Sequence, residues 1–481
     1  MEKKKKRIII IAIVIIIAVV IVGIAIYKVN SNNKIAEDDV EMDRANDTQE
    51  EPESYATVIE YAEETTESDV SIESTALDEN AILVTNGATV NLSNANIIRS
   101  AEDTDDENGA KQFGIGAAVL AKNGILDITN STIKTSGAGA TGIFAYTDGI
   151  ISLTDTTITT TGDNAGGIHT STGGTITATN CIVSTSGFNS AAIRSENDGG
   201  LMQIDGGTYS TSGTVSPAIY SLATVVATKA ELIANNSEAV NIDGAHSVIL
   251  EDCDITSNML YYSVTDNENY GRYYWFGDRN LAWVIGISQS QEKDETLLAQ
   301  FSMTGGTITA NNGGIIYVSN AVATITLENV AINTSESNDF FLQCTGNNNP
   351  EPPTIMGTVG SNGGTCDITI INQEIDGDVI WDSISRVDFE ITEGSTFKGA
   401  VIDDETAVGD SEDIQATGSC SITIDETSTW VVTGNSTVSD LENAGKIVDA
   451  NENTVTIQSV NGKVYVEGTS GYVVTVDFYS E

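Results

Sequence analysis

The stretch YGRYYWFGDRNLAW, residues 270–283, crowds six aromatic side chains (Tyr270, Tyr273, Tyr274, Trp275, Phe276 and Trp283) and two arginines into fourteen positions. Flat rings give a sugar a stacking platform, and Arg and Asp side chains supply hydrogen bonds to its hydroxyls. The segment is therefore a candidate contact for carbohydrate or for another surface. Aromatic rings also anchor an excursion onto a protein wall, so local packing stands beside the binding reading. A second candidate is EDTDDENG, residues 102–109, in which Asp103, Asp105 and Glu107 alternate. Alternating carboxylates suit oxygen ligation of calcium, but the EF-hand pattern fails: Gly is absent from the sixth position and Gly114 stands where a closing Glu belongs. The stretch reads either as a weak calcium site or as a solvated acidic loop.

Material for catalysis is sparse. His169 and His246 are the two histidines of the chain. Polysaccharide hydrolysis needs two carboxyl groups at a defined separation, and no cluster of carboxylates with a basic partner stands out, so no catalytic set is expected. The five cysteines (Cys181, Cys253, Cys344, Cys366 and Cys420) are scattered without a CxxC pair. Zinc is thereby disfavoured, the thiols are expected to be unbridged, and no cofactor beyond the possible calcium is implied.

The formal charge is -48, with 69 acidic against 21 basic residues. Such a surface repels nucleic acid, which is excluded as a partner. Lys3 to Arg7 form a basic cluster, followed by the apolar run Ile8–Tyr27. That run is long enough to span a bilayer as a helix, and the cluster before it places the remainder outside. A membrane anchor within residues 1–28 is expected, with a cleaved signal peptide as the alternative. Residues 29–79 are acidic and poor in large apolar side chains, which predicts a disordered stalk.

Beyond residue 80 the chain repeats. ILDITNSTIKTSG (125–137), ISLTDTTITTTG (151–162) and TITATNCIVSTSG (175–187) each alternate apolar residues around an Asn or Asp. Asn94, Asn130, Asp155, Asn180, Gly206, Ala230, Asp252, Gly305, Asn329 and Asn372 align in one column, at spacings near 25 residues where nothing intervenes. Period-2 alternation marks strands, and three short strands in so few residues predict a parallel β-helix of about a dozen rungs. The Asn/Asp/Gly column marks a turn in the left-handed region, which those residues tolerate best. A stacked turn ladder of Asn94, Asn130, Asp155, Asn180, Asp252, Asn329 and Asn372 follows. A further column, Phe144, His169, Arg194, Tyr220 and Asn241, alternates with inward Ile and Val and is expected to point outward. It reads as a shallow sugar-binding or catalytic face, or as ordinary surface. Regular rungs are expected over 80–341, with insertions at 101–112 and 260–299. A loop is expected over 342–365, and looser rungs with a closing C-terminal cap over 366–481.

These columns, with phrases such as SAAIRSENDGG (190–200) and STWVVTGNSTVSDLENAGKI (428–447), resemble the right-handed parallel β-helix proteins of the pectate-lyase-like superfamily, especially bacterial surface proteins of adhesin-like type. The resemblance implies an all-β fold and an extracellular, membrane-anchored body that binds carbohydrate or another surface. It leaves open a polysaccharide lyase or glycoside hydrolase, and a passive spacer.

Overall fold

The computed structural model describes residues 50–101, 107–197, 199–260, 281–290, 293–335, 340–346, 357–358, 360–404 and 417–480. Glu51–Glu481 forms one compact unit, and it is an all-β parallel coil. Each turn of chain contributes one strand to each of three parallel sheets. Among the described residues sheet 1 holds thirteen strands, from Thr57–Tyr61 to Val401–Asp403, and sheet 3 holds ten, from Ser71–Ser74 to Ala331–Thr334. Sheet 2 lies between them in chain order and runs the length of the coil. Four strands, Glu374–Asp376, Thr396–Gly399, Thr429–Val432 and Lys446–Asp449, form a separate sheet that follows sheet 3 in chain order. Among the described residues no helix is long and apolar enough to cross a membrane; the apolar run 8–27 lies outside them.

Alternation dictates this arrangement. Ile143 pairs with Val119 and Ile168, and the column continues through Ile193, Ile219, Val240, Ile285 and Ile316. All are fully buried. Strands bonded to both neighbours repeat at about 4.8 Å, so each inward side chain packs on its counterpart one rung away. Burial of such columns is the main favourable term in the coil.

The turn column adopts the expected backbone. Asn94, Asn130, Asp155, Asn180, Asp252, Asn329 and Asn372 have φ between 46° and 54°. Side-chain amides run along part of the ladder: Asn94 donates to Asp69 Oδ1 at 3.3 Å and Asn372 to Asn329 Oδ1 at 2.5 Å. One position slips. Lys229, not Ala230, takes the left-handed turn (φ 53°), and Val225 and Ala227 are buried in place of Val226 and Thr228. The run Val225–Val226–Ala227 is apolar on both parities, so alternation alone did not fix its phase.

Three boundaries also differ from expectation. The coil begins inside the expected stalk, because Thr57–Tyr61, Thr65–Ser68 and Ser71–Ser74 form a complete first rung with Thr57 opposite Asn80 and Ile72 opposite Ile97. Tyr61 and Ile72 turn inward while Glu60 and Glu73 face solvent, so the acidic composition sits on the outside of an ordinary alternating rung. Within the expected insertion 260–299, Trp283–Ser288 is a sheet 1 strand. Within the expected loop 342–365, Leu342–Cys344 is another. At the far end Val473–Ser480 pairs in parallel with both Ser436–Asn443 and Thr456–Ser459, and Val464–Val466 runs antiparallel to the latter. All five cysteines are buried and free.

Candidate functional site

On the outer side of sheet 1 the register lines up Leu83, Leu120, Phe144, His169, Arg194, Tyr220, Asn241, Gly286, Tyr317 and Gln343. The expected open face is not open. Phe144 and His169 have no exposed surface, Arg194 and Asn241 are buried, and Tyr220 is half-buried. The cause at one end is an element that local patterning does not announce. Helix Glu107–Phe113, from the insertion between two rungs, brings Phe113 into a cluster with Leu83, Ala117, Leu120, Phe144 and Tyr146, with Tyr55 against it. Phe113 meets the Tyr146 ring edge-on, centroids 5.8 Å apart. Leu83, Leu120 and Phe144 would otherwise expose a contiguous apolar patch, and covering it recovers about 25 cal/mol per Å².

The central part of the row is a buried polar chain. His169 lies 4.3 Å from Phe144, ring to ring, and neither of its ring nitrogens has a hydrogen-bond partner among the described residues. Burial, then the charges of Arg194 and Lys111, push its imidazole well below the usual histidine range, so it is neutral. Arg194 donates to Asn189 O at 2.6 Å and to Glu196 Oε1 at 2.6 and 3.1 Å, and its guanidinium lies 5.7 Å from the Tyr220 ring. Tyr220 Oη donates to Asp243 Oδ2 at 3.3 Å, and Asp243 also accepts from the backbone and hydroxyl of Ser290. Burial pushes the Asp243 carboxyl up against those bonds. Asn241 donates to Glu238, which accepts from Ser237 as well. Arg194 thus spends its donors on Asn189 and Glu196, and Asp243 its acceptors on Tyr220 and Ser290, which makes this stretch a scaffold.

Of the aromatic stretch, Tyr270, Tyr273, Tyr274, Trp275 and Phe276 lie outside the described residues. Trp283 lies within them. It is 1% exposed, stacks on Tyr317 with centroids 4.8 Å apart, and shares a cluster with Met259, Ala282 and Phe340. Its role is packing on the outer side of sheet 1. Asp103 and Asp105 also lie outside the described residues, and Glu107 opens the covering helix. Among the described residues no group of three or more His, Cys, Asp or Glu side chains is arranged to hold a metal ion.

One cluster escaped sequence reasoning. On the outer side of sheet 2, Asp367 pairs with Asp388 in register and Glu390 with Thr369. Arg386 bridges both aspartates, 3.5 Å from Asp367 Oδ1 and in contact with Asp388 Oδ2. Burial pushes the Asp367 carboxyl up, Arg386 draws it down, and Asp388 pushes it up again, leaving it raised. Two carboxyl groups thus stand on adjacent rungs beside a cation. The signal was available: once Ile368 and Phe389 are aligned, the residues just before them, Asp367 and Asp388, must be neighbours.

Elsewhere, stretches of the outer faces of sheets 2 and 3 carry small hydroxyl side chains. Thr129, Thr154 and Thr179 stand in register, as do Ser152 and Thr177, all on sheet 2. Thr159 and Ser184 do the same on sheet 3. These positions are half-exposed, with Ile150 and Ile182 exposed among them. Set against known protein families, curated proteins and solved structures, the chain finds no match in any of the three comparisons.

Proposed function

We propose that this chain is an exported, membrane-anchored surface protein of the pectate-lyase-like, adhesin-like kind, whose right-handed β-helix binds carbohydrate or another surface without catalysis. The observation that carries this reading is the contrast between its outer faces. The polar side chains in the outer row of sheet 1 are mostly buried and, at Arg194, Tyr220 and Asn241, already engaged with neighbouring protein groups, whereas hydroxyl rows on sheets 2 and 3 stay half-exposed over successive rungs. Rows repeating at about 4.8 Å offer a polymer many weak equivalent contacts, which add through multivalency. The aromatic stretch 270–276 is a second contact under the same reading, and calcium bound near Asp103 and Asp105 is a further expectation.

A glycan array on the unit Glu51–Glu481, with and without calcium, tests it. Binding that falls when Thr129, Thr154 and Thr179 are changed together to Val, or Tyr273, Tyr274 and Trp275 to Ala, supports the reading. Binding to nothing supports a passive spacer. A polysaccharide lyase or hydrolase is the second reading, favoured by Asp367 and Asp388 side by side with Arg386. It requires shortened polysaccharide products that disappear in Asp388→Asn.

A further inference from the structure

Beyond Val473–Ser480 and Thr456–Ser459 in the sheet lies the strand Val464–Val466, which pairs antiparallel with Thr456–Ser459 on one side, Ile457 opposite Val466 and Gln458 opposite Val464. Among the described residues no second strand pairs with it in register. An unpaired edge offers backbone donors and acceptors to any extended chain that fits. This edge is also apolar. Of thirteen exposed large apolar side chains among the described residues, four (Val460, Val464, Tyr472 and Phe478) lie beyond residue 459, and Val464 is 49% exposed. The opposite end of the coil differs. Its first rung carries Glu60, Glu63, Glu64 and Glu73 in exposed positions, the charged kind of edge that discourages pairing.

The sequence of the C-terminal edge is self-complementary. It reads Lys463–Val464–Tyr465–Val466–Glu467, so a cation and an anion flank three β-formers symmetrically about Tyr465. Lys463 and Glu467 are both exposed, and neither makes an ion pair among the described residues. Lys463 Nζ lies 4.5 Å from the Tyr465 ring centroid. Four residues along a strand span about 13 Å, too far for the two charges to meet within one chain. Strand alternation continued by one residue at each end puts both on the Tyr465 side. A second copy laid antiparallel across a two-fold axis at Tyr465 sets each Lys463 opposite the other copy's Glu467 and each Val464 opposite Val466. Both ion pairs form at once, and the contact closes on itself.

We infer that the edge Lys463–Glu467 is a self-association surface, and that its partner is a second copy of this chain, paired antiparallel about Tyr465. The inference holds whether or not the coil binds glycans. The formal charge of -48 opposes association of copies in general, which favours an edge where each copy's cation meets the other's anion.

The test is a charge swap. The full-length chain, solubilised under one fixed condition at about 0.15 M salt, is weighed by sedimentation across a concentration series beside Lys463→Glu, Glu467→Lys and the double variant. Opposite charges across strands favour pairing and like charges oppose it, and each single change creates two like-charge pairs. The expected result is a concentration-dependent dimer in the parent chain, weakened about tenfold in each single variant and restored in the double variant. Unchanged thermal melting shows that each variant is folded, since both positions are exposed. A monomeric parent chain at every concentration overturns the inference. So do single variants that dimerise like the parent, or a double variant as weak as the singles.

Discussion

The outer side of sheet 1 and the outer side of sheet 2 are made by the same coil, rung for rung, yet they have opposite fates. At one rung the outward Phe144 of sheet 1 has no exposed surface, while the outward Ile150 of sheet 2 is 42% exposed. The difference is made by the excursion inserted between rungs, since helix Glu107–Phe113 lies against the first and described elements leave the second bare. An outward position on a solenoid is therefore not by itself a surface position. Insertions decide it, and they leave binding capacity to the faces they miss.

Removing side chains tests this contrast most strongly. Ile168→Ala, in the inward column, is expected to cost about 2–5 kcal/mol. Phe144→Ala should cost about 3 kcal/mol although it points outward, because its surroundings are packed. Ile150→Ala should cost less than about 1 kcal/mol. Urea midpoints of the three variants decide the matter, and the comparison fails if Phe144→Ala behaves like Ile150→Ala. Phe113→Ala is the corresponding change in the cover. It should destabilise by about 3 kcal/mol and speed hydrogen exchange in Ile143–Tyr146 while leaving the adjoining sheet 2 strand Ile150–Thr154 protected.

Acid gives a smaller, continuous effect. His169 binds its proton less readily when folded, because burial and the charges of Arg194 and Lys111 disfavour the imidazolium. Stability should therefore hold above about pH 6.5 and fall as pH drops below it, by up to about 1.4 kcal/mol per pH unit. His169→Phe should flatten that slope relative to the parent chain. The raised carboxyl of Asp243 contributes with the opposite sign at lower pH in both proteins, so the difference isolates His169. Smallest of all, Thr129→Val, Thr154→Val and Thr179→Val should each change stability by less than about 0.5 kcal/mol, which makes the three together a clean probe of binding.

What the sequence revealed follows the same division. Inward columns such as Ile143, Ile168 and Ile193 were legible because each residue repeats the demand of its neighbour one rung away. The left-handed turns at Asn130, Asp155 and Asn180 were legible because few residues tolerate that backbone. The slip at Lys229 arose where Val225–Val226–Ala227 satisfies both parities. The first rung was hidden because Glu60 and Glu73 dominate the composition while Tyr61 and Ile72 carry the pattern. The fate of Phe144 and His169 was not legible, since it depends on a helix contributed by an insertion two or three rungs earlier in the chain. The Asp367–Asp388–Arg386 cluster lies between: its residues sit in a readable register, but the irregular rung lengths beyond residue 335 obscured the alignment.

The outer row of sheet 1 is sealed at Phe144 and His169, and stretches of the outer rows of sheets 2 and 3 are open. All five native cysteines are buried, so a thiol placed in either row reports its own accessibility. Single variants His169→Cys, Thr154→Cys and Thr159→Cys, one for each sheet, can be reacted with a thiol reagent under native conditions. The account predicts that the cysteines at 154 and 159 react at the rate of accessible thiols, and that the one at 169 stays unreactive until the chain unfolds. Equal, rapid reaction at all three positions would contradict it.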